Sequence, residues 1–159
     1  MFITVFHFFI FLAPFVILYS KQVTQVKKFR SDEIKYYLLL LFLIFCVGVQ
    51  GLVTGMTQIF IAEGHSSYVG RPWSPFVWEL GMMNISYGVL GIMCYWLRGS
   101  FWAATGIGYS IFLLLAFSGH IYEVITRQNY HLGSIGPQVW IDFSIALVLL
   151  VLICRSKNG

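Results

Sequence analysis

Four residues with the means to do chemistry sit where little else is polar: Glu79, His120, Glu123 and Asp142, each inside an apolar run. His120 and Glu123 are three apart, so on a helix they share a face. A carboxylate and an imidazole at that spacing, joined by carboxylates from neighbouring helices, is a donor set that holds divalent metals in helix bundles. Imidazole with carboxylate suits zinc, iron or manganese better than calcium. The match is loose, because di-metal bundles usually carry two such helical pairs and this chain has one. The same four groups in a low-dielectric setting would also have displaced pKa values, the property that fits a group for acid or base work. Trp73, Trp78 and Trp140 lie close to them in sequence. An outward-facing polar pocket rimmed by those indoles can hold a cation or a small amphipathic ligand, such as a quinone or a lipid head group.

Composition decides where these residues must be. Of 159 residues, 58% are hydrophobic and only 10% charged, and the mean hydropathy is +0.80. Soluble domains carry about 25% charged residues, so the chain reads as an integral membrane protein. Its net charge of +4 is then a matter of topology, not of nucleic-acid binding. There is no phosphate-binding glycine loop, nucleophile elbow, H-E-x-x-H, C-x-x-C or haem-attachment sequence. Cys46, Cys94 and Cys154 fall in apolar stretches with no metal-like spacing and read as buried, unpaired thiols.

Five apolar runs are long enough to span a bilayer. They predict an all-α polytopic bundle, a single membrane domain over 1–159, with spans near 2–19, 36–62, 75–97, 101–126 and 137–154. The first has no basic residues before it and no small-residue cleavage site after it, so it reads as an uncleaved helix in which Pro14 introduces a kink. Five spans separate the termini. One side then holds Lys21, Lys27, Lys28, Arg30, Lys35, Arg98, Arg155 and Lys157, and the other only Arg71 and Arg127. The positive-inside rule places the N-terminus out and the C-terminus in, as in a multi-pass protein of a bacterial inner (cytoplasmic) membrane. The 20–35 segment becomes a basic cytoplasmic loop lying at the head groups. Tyr36, Tyr37, Tyr95, Trp96 and Trp102 form an inner aromatic belt; Trp73, Trp78, Tyr122, Tyr130 and Trp140 form an outer one.

With that orientation the polar residues sort by depth. Ser74 is placed to cap the third span and Pro75 to open it, which puts Glu79 roughly 6 Å below the outer end. His120 and Glu123 lie roughly 10 and 6 Å below the outer end of the fourth span, and Asp142 roughly 7 Å into the fifth. His7 is in the outer third of the first, and Gln50, Thr54, Thr57 and Gln58 lie in the outer half of the second, the first three as a stripe. All of these groups converge on one outer layer, and charges within spans normally face a bundle interior or a watery cavity. Gly51 with Gly55, and Ala104 with Gly108, repeat the small-xxx-small spacing that lets helices approach closely.

The stretches "SPFVWELGMMNISYGVLGI", "FWAATGIGYSIFLLLAFSGHIYE" and "NYHLGSIGPQVWIDF" resemble a family of small uncharacterised bacterial integral membrane proteins, a domain of unknown function. Its pattern corresponds here to Ser74, Pro75, Phe76 and Glu79, then Gly119, His120 and Glu123, then Asp142. The resemblance covers roughly 65–155, leaves the first span outside, and implies no activity.

The main expectation is therefore a pocket, open to the outside, in which Glu79, His120, Glu123 and Asp142 bind a cation (a divalent metal among them) or a small amphipathic molecule. One alternative is a structural or accessory membrane subunit whose buried charges pair with Arg71, Arg127 or His120 and only lock the helices together. A second is an intramembrane acid/base enzyme or proton-coupled carrier. The inner half offers no polar path, so transport would need a homo-oligomer or a larger membrane complex to supply one.

Overall fold

The computed structural model describes residues 2–24 and 31–156, and they are helical almost throughout. The long helices are α1 (Phe2–Thr24), α2 (Ser31–Phe42) running through a π-helical segment (Leu43–Val49) into α3 (Gln50–Phe60), α5 (Phe76–Met93), α6 (Ser100–Arg127) and α8 (Pro137–Ser156). Two short helices, α4 (Ala62–Val69) and α7 (Leu132–Ile135), fill the connections at one end. Five helical stretches are long and apolar enough to cross a membrane: 4–22, 32–60, 76–93, 100–127 and 132–156. They agree with the five expected runs to within a few residues at most ends. The difference is largest around the basic loop. α1 continues to Thr24 and α2 begins at Ser31, so helix replaces much of the expected 20–35 loop. Lys27, Lys28, Arg30 and Lys157 lie outside the described residues.

Span two is the central rod. Its inner half supplies Leu39, Phe42, Leu43, Cys46 and Val47 to the core, where they meet Ile145, Ala146, Leu149 and Ile153 of α8. The π-helical segment then adds a wide turn, seen in the bond from the Gln50 N–H to the Phe45 carbonyl, five residues back. A residue added to one turn rotates the following helix by roughly 100°. The outer half can thereby present one stripe of glycines to α5 and a separate polar stripe to the bundle interior.

The glycine stripe accounts for the packing. A Cβ on Gly51 would lie 2.8 Å from the Asn84 carbonyl, and one on Gly55 2.5 Å from the Gly81 carbonyl. A Cβ on Gly88 would meet the Leu52 nitrogen at 2.7 Å, and one on Gly91 would collide with Gly48. Backbones this close leave no room for any side chain, which is the function expected of the G-x-x-x-G pair. The face of α5 buried in this seam carries Gly81, Asn84, Gly88 and Gly91. α5 follows span two along its length and touches α6 mainly through Tyr87, which stacks on Phe112 and tilts against Tyr109. Gly108 makes room for it, since a Cβ there would be 3.1 Å from the Tyr87 hydroxyl.

At the end of the bundle opposite α4 and α7, Trp102 is buried instead of standing in the expected aromatic belt. Its indole N–H donates to the Cys94 carbonyl at 2.7 Å, and its ring packs on Tyr36. Among the cysteines, Cys46 and Cys94 are buried but Cys154 is exposed on α8, and all three are free.

Candidate functional site

The ionisable residues of the outer layer separate into three settings. Glu79 belongs to the first. It lies on α5 two residues before Gly81, roughly 200° around the helix, and Gly81 faces the seam. Glu79 is exposed, beside exposed Phe76, Trp78, Met82 and Met83. Ser74 does not cap α5 through its side chain; Pro75 holds the cap position, and the helix is opened by backbone bonds to the Ser74 and Pro75 carbonyls. Trp73, Trp78 and Trp140 are exposed as well, Trp140 against Phe117 and Phe143.

Glu123 belongs to the second, a pinned junction. Its side chain is largely buried, and Oε2 accepts from Nε of Arg71 at 2.8 Å and from the Asn129 amide at 3.1 Å, while Oε1 is 3.6 Å from Nη1 of Arg127. Asn129 also donates to the Val69 carbonyl at 3.0 Å, and the Ser134 hydroxyl donates to the same carbonyl at 2.8 Å. The Tyr68 hydroxyl reaches Thr4 of α1 at 2.9 Å. These bonds hold α4 and α7 across the end of the bundle. Gly70 ends α4 with φ of +75°, and a Cβ there would also collide with His131, so the chain turns under the junction where only glycine is at ease.

His7, His120 and Asp142 belong to the third setting, a polar chamber beneath that cap. It has a volume of about 110 Å³. Its floor is Tyr109 and Leu113, its cap is His65, Tyr68, Val69 and Gly133, and its walls carry Gln50, Gln58, Asn84, Gln138 and Arg71. Gln50 donates to Asp142 Oδ1 at 2.7 Å. A second chain of bonds crosses the opposite wall. The Asn84 amide donates to the Gln58 carbonyl at 2.9 Å, and the Gln58 amide faces His65 Nε2 at 3.3 Å. With its carbonyl occupied, Gln58 can only donate to that nitrogen, so the proton of neutral His65 is on Nδ1. Burial, with His120, Arg71 and His7 nearby, pulls the His65 pKa down to about 4, so His65 is neutral at physiological pH. His7 adds contacts to Thr54 and Gln138, both at 3.4 Å.

Among the described residues, four polar atoms on the chamber wall have no hydrogen-bond partner: Gln50 Oε1, His65 Nδ1, His120 Nδ1 and Gln138 Oε1. Gln50 is 2% exposed. Leaving such atoms unmade in a dry interior costs about 1–3 kcal/mol each, so something polar must meet them. Among the described residues no three His, Cys, Asp or Glu side chains come together as a metal would require. Of the four residues singled out from the sequence, two line the chamber (His120, Asp142), one pins its cap (Glu123), and one faces away (Glu79). The amides Gln58, Asn84 and Gln138 and the cap histidine His65 complete the wall. Asn84 and Gln138 are uncharged, and a search for ionisable groups within spans passes over them.

A family model described as "Family of unknown function (DUF6790)" matches residues 4–159. The match takes in the first span, which had been expected to lie outside, and this agrees with the placement of His7 and Thr4. No curated protein and no solved structure matches the chain.

Proposed function

We propose that this chain, which belongs to that family of unknown function, is a structural or accessory membrane protein whose outer charges fasten a cap over the end of the helix bundle. The observation that carries this reading is the commitment of Glu123. Both its oxygens are engaged, by Arg71, Asn129 and Arg127, which leaves little of the carboxylate for a ligand. The same reading takes residues 1–159 as one membrane domain in a bacterial inner (cytoplasmic) membrane, N-terminus out and C-terminus in. It is supported by the eight-to-two division of Lys and Arg between the two sides. The cap and Glu123 are then on the outside. The test is a charge reversal. Arg71→Glu alone should loosen the cap, and adding Glu123→Arg should restore part of the lost stability. Equal stability of all three proteins would remove the reading. Single-cysteine labelling from either face checks the orientation.

A second reading is favoured by the four unpaired atoms in the chamber. They support a site for a small polar group held by hydrogen bonds, with His120 and Asp142 among its walls. The set of four originally drawn from sequence, with Glu79 and the three indoles around it, would need a second copy or another subunit to close on the exposed face of α5.

A further inference from the structure

The cap blocks the chamber from above, and the floor closes it below, but one side is thin. Leu80 of α5 and Ala116 of α6 both line the chamber and are both exposed on the outer surface of the bundle, Leu80 at 37%. The glycine seam causes this, because it draws the outer half of α5 onto α3 and away from α6. About two turns along α5 from Leu80, Tyr87 bridges the two helices through Tyr109 and Phe112. Toward the outer end, a Cβ on Gly119 would meet nothing within 4 Å. An entry between Leu80 and Ala116 would face sideways, at the depth of the exposed apolar side chains Met83 and Leu115 of α5 and α6. Molecules using it would come from the bilayer.

The chemistry of the chamber narrows what can enter. Gln50 is oriented by its bond to Asp142, so its free atom is a carbonyl oxygen. Gln138 Oε1, also on the chamber wall, is a second unpaired acceptor. A group satisfying both must donate hydrogen bonds, and His65 Nδ1–H offers a donor in return. A hydroxyl does both. An ionised phosphate offers acceptors alone and leaves the Gln50 and Gln138 carbonyls unmet. About 110 Å³ accommodates a head of a few heavy atoms, with the chain left in lipid. Resting on the second reading above, we propose that the chamber binds the uncharged, hydroxyl-bearing head of a bilayer amphipath such as a monoacylglycerol, which enters between Leu80 and Ala116.

The test is native mass spectrometry and equilibrium binding on full-length protein in micelles with 1-monooleoylglycerol, beside the phosphate analogue carrying the same oleoyl chain. Wild type is compared with Ala116→Trp and Leu80→Trp, which fill the gap from either side, and with Gln138→Met, which removes an unpaired carbonyl from the chamber. Helicity and melting temperature serve as fold controls. The expected result is a one-to-one complex with the glycerol lipid, at least tenfold weaker in Gln138→Met and in a tryptophan variant that keeps its fold, and at least tenfold weaker for the phosphate analogue. Loss in Gln138→Met with full binding in both tryptophan variants would overturn the lateral route and leave the chamber reading standing. Equal binding of the phosphate lipid would overturn the head-group assignment. No binding in wild type, or binding indifferent to Gln138→Met, would overturn the proposal together with the reading beneath it.

Discussion

Nε of Arg71 donates to the Glu123 carboxylate at 2.8 Å across 52 residues of chain. That bond joins the connection before α5 to the end of α6. The arginine is 41% exposed and the carboxylate nearly buried, so the pair is stronger than a surface ion pair and weaker than a fully buried one. Glu123→Gln should destabilise by about 1–3 kcal/mol, read as a lower midpoint in denaturant unfolding in micelles. The amide can still accept from Asn129, so Glu123→Leu should cost more.

The helix seam predicts opposite outcomes for two glycines. Gly55→Leu must push α3 off α5, because its Cβ alone would lie 2.5 Å from the Gly81 carbonyl. The expected result is a loss beyond about 3 kcal/mol or failure to fold. Gly119→Ala places a methyl in open space within a long helix and should be neutral or stabilising by about 0.5–1 kcal/mol. Thermal unfolding of both variants checks the contrast.

His65 makes stability depend on pH. In the unfolded chain it titrates near its ordinary value of 6.5, and in the folded protein near 4, held there by burial and by His120, Arg71 and His7. Between those values the unfolded state binds more protons, so folding stability falls as pH drops from 6.5 toward 4. Below about 4 this contribution levels off. A melting series from pH 8 to pH 4 should show the decline, and His65→Gln should flatten part of it. An unchanged slope in that variant would assign the effect to other groups.

Glu79 should prove dispensable for the isolated protein. It is exposed, and among the described residues it forms no salt bridge. Glu79→Gln is expected to shift stability by less than about 0.5 kcal/mol and to leave chamber binding unaffected. A large effect on either would point to a second copy or a partner covering that face of α5.

Much of this was open to reading from sequence. Apolar runs of about 20 residues located the five long helices, and the spacing of Gly51 and Gly55 announced the seam. Depth along each helix put His7, Gln50, His120 and Asp142, which line one chamber, at one level, but depth says nothing of azimuth. The azimuth of Glu79 was legible after all. Gly81, Asn84, Gly88 and Gly91 mark the packed face of α5, and Glu79 is off it. Gln58 stood out among the polar residues of span two, whereas Asn84 and Gln138 carry no charge and sit among apolar neighbours; a search for amides within spans would have found them. α4 read as a loop because "EGHSSYVG" lacks an apolar period. The cap also depends on pairings more than 50 residues apart, which local pattern does not encode.

The π-helical segment in span two has a consequence for how the protein can vary. A wide turn stores one residue beyond what an α-helix of the same rise would hold, so span two behaves as two rods joined by a slack coupling at Leu43–Val49. Removing one residue from that segment would let the coupling tighten to α geometry. It would swing Gln50, Thr54 and Gln58 away from the chamber while Leu39 and Phe42 stayed in place. The interior polarity of the outer half is therefore set by a count of residues as much as by their identity.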